Sequence, residues 1–285
     1  MKICRYDNDR LGIVIGDKVH DVSAAQEEIR KSAPYDMMGD CVIAALPQWR
    51  GKLEEMAKKA PGKAISDVKF LPPVARFSKV MAAPTNYHAH IQEMAARQGT
   101  AAEAHRGILQ AGIFLKANSS IVGENGNIKL RFPDRLNEHE LELVMIIGKQ
   151  GTKISQDKAL DYVAGYCMGI DMTVRGKEDR SFRKSIDGYS PVGPWIVTAD
   201  EIPDPDNLEL ELKVNGVTKQ KTNTNNLIYN CRRLIEFATE YYTIYPGDIY
   251  FTGTPQGVAP VNPGDWVTSA CPQIGELKIQ AIAQP

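Results

Sequence analysis

The chain has 285 residues and a formal net charge of −1, enough for one large domain or a main domain with a small companion. Its near-neutral balance argues against nucleic acid or an anionic membrane as partner, since either calls for a basic surface. No apolar run approaches the roughly 20 residues of a membrane helix. The N-terminus MKICRYDNDR has no apolar stretch of the secretory kind. Five scattered cysteines, with no CxxC pair, suggest neither zinc nor a disulfide framework. A cytoplasmic setting is therefore expected.

In chain order, ICRY and LGIVIG are strand candidates, and Gly16-Asp17 makes a turn before KVHDVS. From Pro47, PQWRGKLEEMAKKA has helical spacing, with Trp49, Leu53 and Met56 on one side. Pro72-Pro73 interrupts this pattern, which sets residues 1–72 apart as a small N-terminal α/β domain and 73–285 as the main one. KVMAAP, from Lys79, is expected as a buried strand, and HIQEMAARQ, from His90, as the start of a helix. Residues 140–147 form a strand, 156–163 a short helix, and GYCMGIDMTV from Gly165 another strand. LELELKVNGVTKQ, from Leu208, is a hairpin turning at Asn215-Gly216, a pair suited to the positive φ angles of a type I′ turn. A helix spans 230–241, and Pro-Gly-Asp turns at 246–248 and 263–265 flank IYFTG. Strands outnumber helices without regular alternation. The fold class is therefore α+β, mostly β, and neither a doubly wound sheet nor a (β/α)₈ barrel.

The chemistry is concentrated in HELELVMIIG, residues 139–148. A single ExE is commonly a solvent-facing strand edge. In LELEL, residues 208–212, Glu209 and Glu211 share a face with Lys213 and Asn215, as an ordinary half-exposed hairpin does. Glu140 and Glu142 instead share theirs with Val144 and Ile146, while Leu141, Leu143, Met145 and Ile147 occupy the other. Two acids at the mouth of a doubly buried strand repel one another and resist ionisation, and a hard divalent cation removes both penalties. Asp171, which interrupts YCMGIDMTV, is the candidate third ligand; the alternatives are that it caps a turn or pairs with Arg175.

From about Lys79 onward the chain resembles the fumarylacetoacetate hydrolase family, in particular its shorter bacterial-type members, the acylpyruvate hydrolases and related 2-oxoacid decarboxylases and isomerases. Six stretches carry the resemblance in the family's order: NYHAHIQE, IFLKANSSIVG, HELELVMIIGK, GYCMGIDMTVR, KSIDGYSPVGPWIV and FTGTPQGVAPVNPGD. It implies a mixed β-sandwich roll, a homodimer, and a divalent metal, Mg²⁺ before Mn²⁺ or Ca²⁺, on Glu140, Glu142 and Asp171. It further implies a catalytic dyad of His90 and Glu93, with Lys184 as an active-site cation and Tyr87, Gly253 and Thr254 as substrate contacts. The expected activity is metal-dependent hydrolysis of a C–C bond in an acylpyruvate or related 2,4-dioxo acid, through a metal-stabilised enolate and within aromatic catabolism. The alternatives are a 2-oxoacid decarboxylase, a 2-hydroxy-diene-dioate isomerase, or a member that binds a 2-oxoacid without turning it over.

The residues are consistent with that chemistry. His90 and Glu93 are three apart and can meet on a helix, where a carboxylate fixes the imidazole tautomer; His88, two residues away, should point elsewhere. Outside the motif, His90 and Lys184 would be read as surface residues, Glu93 as a solvated acid of the first helical turn, and Gly253-Thr254 as a plain tight turn. No Walker loop or G-x-S-x-G elbow is present. The chain departs from the family pattern at Ile170, Thr173, GKEDRSFR, Pro84-Thr85 and Ala259. These departures bear on substrate choice, as does the segment 94–112, which is expected to shape the pocket.

Overall fold

The structure is a computed structural model that describes residues 1–98 and 107–284. Residues 99–106, part of the segment 94–112 expected to shape the pocket, therefore lie outside the described residues. The fold is mostly β, with mixed sheets. An eleven-stranded sheet runs Gly62–Ala64, Lys18–Asp21, Arg10–Ile15, Lys2–Tyr6, Ser190–Thr198, Val163–Ile170, Leu141–Ile147, Ile249–Phe251, Val80–Ala82 and Phe114–Lys116, with Ile121–Val122 beside Ser190–Thr198. A five-stranded sheet contains the Glu209–Val214/Val217–Asn223 hairpin, Trp266–Cys271, Gly275–Ala283 and Asn127–Leu130. A third, three-stranded sheet joins Thr173–Val174, Asn137–His139 and Ala259–Pro260.

Leu141–Ile147 is central because both of its faces are apolar. Leu141, Leu143, Met145 and Ile147 pack into one core with Met168, Leu212 and Leu277. Val144 and Ile146 pack into a second core with Ile3, Leu53, Val80 and Phe251. Each such side chain contributes about 1.5–3 kcal/mol on burial, so this strand ties the two layers together. The N-terminal strands belong to the same system, since Lys2 pairs with Val197 and Ile3 with Ile196.

The helices differ in part from the periodicity. The helix expected from Pro47 begins at Cys41, where Asp40 caps it by accepting from the N–H groups of Val42 and Ile43, and it runs to Lys59 with Pro47 inside. A helix at Ser23–Ser32, unexpected from the sequence, covers Arg10–Ile15 with Ala25 and Ile29 buried. The stretch read as a helix over 156–163 holds only a 3₁₀ turn, Ala159–Tyr162, because Val163 already begins a strand. The helix carrying the candidate dyad starts at His88, two residues before His90. Asn215 and Gly216 take φ of 51° and 79°, the doubly positive geometry of a type I′ hairpin.

Candidate active site

The acidic cluster forms where two neighbouring strands leave the large sheet together. Leu141 pairs with Ile170 in that sheet, and Glu138 pairs with Thr173 in the small one. Glu140 and Asp171 fall in the gap between the two ladders, joined by the Asp171 N–H donating to the Glu140 carbonyl at 2.8 Å. Glu142 is the second residue of its strand. One oxygen from each of Glu140, Glu142 and Asp171 lies within 4.8 Å of the others, and all three residues are buried.

Two buried ammonium groups balance these carboxylates. Lys184 Nζ donates to Glu140 Oε2 at 2.7 Å and to Asp171 Oδ2 at 2.8 Å. Lys116 Nζ donates to Asp171 Oδ1 and, at 3.2 Å, to the Tyr189 carbonyl. Burial opposes the charge on Lys184, but Asp171 and Glu140 outweigh it and raise its pKa. Lys116 goes the other way, because burial dominates and Lys184 adds repulsion. Burial likewise opposes ionisation of Glu140, yet Lys184, Arg175 and His90 hold it down at about 2. Glu142 is pushed up by burial, then by Asp171 and Glu140. The surplus acid is therefore concentrated on Glu142. Three converging oxygen donors with residual like-charge repulsion suit a hard divalent cation.

His90 and Glu93 meet on the helix His88–Gln98, with Nδ1 3.3 Å from Glu93 Oε2. Glu93 also accepts from the Gly257 N–H, 3.2 Å from each oxygen, and from Arg97 Nη2 at 3.1 Å. Burial raises the Glu93 pKa less than these donors lower it, so its carboxyl sits below the ordinary range. An ionised Glu93 holds the proton of His90 on Nδ1, which leaves Nε2 as the basic nitrogen. His90 is buried, whereas His88 is exposed.

His90, Glu140, Asp171, Lys184 and Thr254 all line one cavity of about 460 Å³. Four sequence candidates, Tyr87, Glu93, Glu142 and Gly253, are not among its lining residues. Tyr87 is buried outside the lining, and burial and the charge of Glu142 push its phenol up. The Gly253 N–H donates to Glu142 Oε2 at 2.5 Å, so here it orients that acid. Gly253 has φ of +102°, and a Cβ would come within 2.6 Å of Asn86 Cβ, so only glycine brings this N–H into place.

Sequence reasoning assigned no role to Lys116, Arg97 or Glu138. Lys116 could have been found as the single charge in IFLKANSSIVG. Glu138 left a weaker signal as a third acid in NEHELEL. It is buried, accepts from Arg97 Nη1 at 2.9 Å and from Arg175 Nε, and so connects the dyad's helix to the acidic cluster.

Comparisons with known proteins match most or all of the chain. The family model described as fumarylacetoacetate (FAA) hydrolase C-terminal matches residues 79–281. The chain is 46% identical over 284 residues to a maleylpyruvate hydrolase of Aquipseudomonas alcaligenes, covering 98% of each. Among solved structures it resembles maleylpyruvate hydrolase from Sphingobium sp. SYK-6, in a complex with manganese(II) and pyruvate, with TM-score 0.85, 35% identity and full coverage of both chains. It also resembles a 5-carboxymethyl-2-hydroxymuconate delta-isomerase from Mycobacterium smegmatis, with TM-score 0.71, 26% identity and full coverage of both chains.

Proposed function

The chain belongs to the fumarylacetoacetate hydrolase family, and on that basis we propose that it is a metal-dependent hydrolase of the C–C bond in acylpyruvates. The observation that carries this reading is that Glu140 and Asp171 of the acidic cluster line one cavity with His90, the partner of Glu93. Glu140, Glu142 and Asp171 would hold a divalent cation. When bound, such an ion supplies Lewis-acid polarisation of the 2-oxo group.

The chain's own residues then have distinct tasks. His90 removes a proton from water at Nε2, and Glu93 keeps the ring in the required tautomer and supports its positive charge. The water oxygen bonds to the C4 carbonyl carbon, and the C3–C4 bond breaks with its electron pair moving toward the 2-oxo group. A proton returned to C3 completes pyruvate, and the acyl part leaves as a carboxylic acid. Lys184 keeps Glu140 ionised and holds Asp171 in position, and Thr254 contributes a hydroxyl at the cavity wall.

The finer parts of the proposal are Mg²⁺ as resident ion with Mn²⁺ as a competent substitute, and maleylpyruvate as the first substrate to test. They also include a homodimeric assembly, a cytoplasmic setting and a place in aromatic catabolism. The oxygen-only donor set supports a hard ion, five free cysteines fit a reducing compartment, and the dimer rests on family resemblance. Among the described residues no helix is long and apolar enough to cross a membrane.

The test is turnover of maleylpyruvate, acetylpyruvate and oxaloacetate with Mn²⁺, with product analysis. One pyruvate per acylpyruvate consumed, abolished by EDTA, is the expected result. Exclusive CO₂ release from oxaloacetate, or isomerisation without cleavage, would replace hydrolysis with one of the sister reactions. No turnover of any substrate would leave a binding protein.

A further inference from the structure

We propose that Arg183 and Arg180, backed by Arg175, form a subsite for a second carboxylate at the distal end of the substrate, so that this chain selects acylpyruvates with an acidic acyl tail. The proposal rests on the reading of the cavity as an acylpyruvate hydrolase site and adds what grips the end remote from the 2-oxo acid.

Charge bookkeeping within the cavity is the first support. Its lining includes the basic side chains Arg175, Lys177, Arg180, Arg183 and Lys184 against the acids Glu140, Asp171 and Glu178. Those acids already have partners. Lys184 spans Glu140 and Asp171. Glu178 receives two hydrogen bonds from Arg135, at 2.9 and 2.8 Å. Arg175 is held through Nε by Glu138. Among the described residues, no carboxylate lies within ion-pair distance of Arg180 or Arg183. A divalent cation in the acidic cluster would increase the positive surplus.

Geometry is the second support. Arg183 Nε donates to the Glu178 carbonyl at 2.8 Å, and Nη1 reaches Thr173 Oγ1 at a long 3.4 Å. Arg180 lies with Cζ 5.5 Å from the centroid of the Phe114 ring, which steadies a guanidinium without neutralising it. Arg175 Nη2 is buried with no hydrogen-bond partner, and Glu140 Oε1 lies 3.6 Å from it. Burial, then Arg175 and Arg180, lower the pKa of Arg183, as expected for like charges held together. A planar carboxylate offsets that repulsion and can accept two parallel N–H bonds from one guanidinium. Arg180 and Arg183 belong to GKEDRSFR, the segment that departs from the family pattern, and their short helix ends at Lys184. One helix thus carries both the cation that supports the acidic cluster and the groups proposed to read the tail.

The test uses two unreactive ligands of equal chain length, 2-oxoadipate and 2-oxohexanoate, titrated calorimetrically into the Mn²⁺-loaded protein. Wild type is expected to prefer the diacid by at least about tenfold. Arg183→Met should shrink that preference to within about twofold, Arg183→Lys should retain part of it, and Arg180→Met serves as a second, independent variant. Equal or absent binding of the two ligands by wild type overturns the subsite. So does an equal loss of both ligands in both methionine variants. Acylpyruvate turnover is read separately: a wild type that prefers the diacid but hydrolyses nothing keeps the subsite and loses the hydrolase reading.

Discussion

At the scale of single residues, the site is built from charges that contradict their surroundings. Glu142 is 1% exposed and shares its environment with two other acids, while Lys184 and Lys116 are buried to oppose them. Part of this was legible in the sequence because a strand has a period of two. Placing Glu140 and Glu142 on the face of Val144 and Ile146, rather than on a polar face such as that of Glu209 and Glu211, needs only alternation. The partners of a buried charge come from distant segments, however, so the bond from Lys116 to Asp171 and the bridging role of Glu138 left no periodic signal. Glu93 gives the sharpest test at this scale. Glu93→Gln should lower kcat by about 10²–10⁴-fold while Mn²⁺ affinity stays within a few-fold of wild type. Steady-state kinetics beside a Mn²⁺ titration read both, and a parental kcat would remove Glu93 from the mechanism.

At the scale of elements, the site depends on a hairpin that contributes no acid to it. Val217–Asn223 is largely exposed, yet Gln220 is 1% exposed. Its Oε1 accepts from His139 Nδ1 at 3.0 Å and from the Leu141 N–H at 2.8 Å. Its Nε2 donates to Thr254 Oγ1 and the Pro255 carbonyl, both at 2.9 Å. One amide thus joins the segment carrying Glu140 to the turn carrying Gly253 and Thr254. Alternation revealed the hairpin and its Asn215-Gly216 turn, but not this bond, since an exposed strand gives no hint that one of its polar residues points inward. Gln220→Ala leaves buried N–H groups unmatched and should cost about 1–3 kcal/mol, with a fall in kcat as Thr254 loses its donor. Urea unfolding and kinetics on one preparation would check both, and unchanged stability would show the amide to be dispensable. The same limit explains the helices. Pro47 suggested a helix start, yet the Asp40 cap lies seven residues earlier, and the polar Ser23–Ser32 segment is helical because Ala25 and Ile29 find a sheet to cover.

At the scale of the whole molecule, the sheets and the N-terminal segment meet along shared surfaces. Val68 and Phe70 from that segment, Trp195 from the large sheet and Trp266 from the five-stranded one line a second cavity together with Glu124. Burial, and then the charge of Glu276, push the Glu124 carboxyl up to about 7. Its folded-state pKa exceeds the ~4.3 of an unfolded chain. The stability it contributes is therefore complete at low pH and is lost as pH rises from about 4.5 through about 7. Allowing for its partial exposure, that loss is about 1–2 kcal/mol. Glu124→Gln should remove it, so the variant should gain on wild type between pH 5 and pH 8 in urea unfolding; parallel profiles would contradict the assignment. Membership of the mostly β fold could be read from strand density and motif order. The joining of residues 2–6 to strand Ser190–Thr198 could not, because nothing in either segment names its partner.

All of the proposed chemistry depends on Glu140, Glu142 and Asp171 acting together as one cation site. The most direct measurement is an electron paramagnetic resonance titration of Mn²⁺ with wild type and Glu142→Gln. One bound ion per chain in wild type, with affinity reduced by at least about 100-fold in the variant, is the expected result. Equal Mn²⁺ binding by the two proteins, or none by wild type, would contradict it.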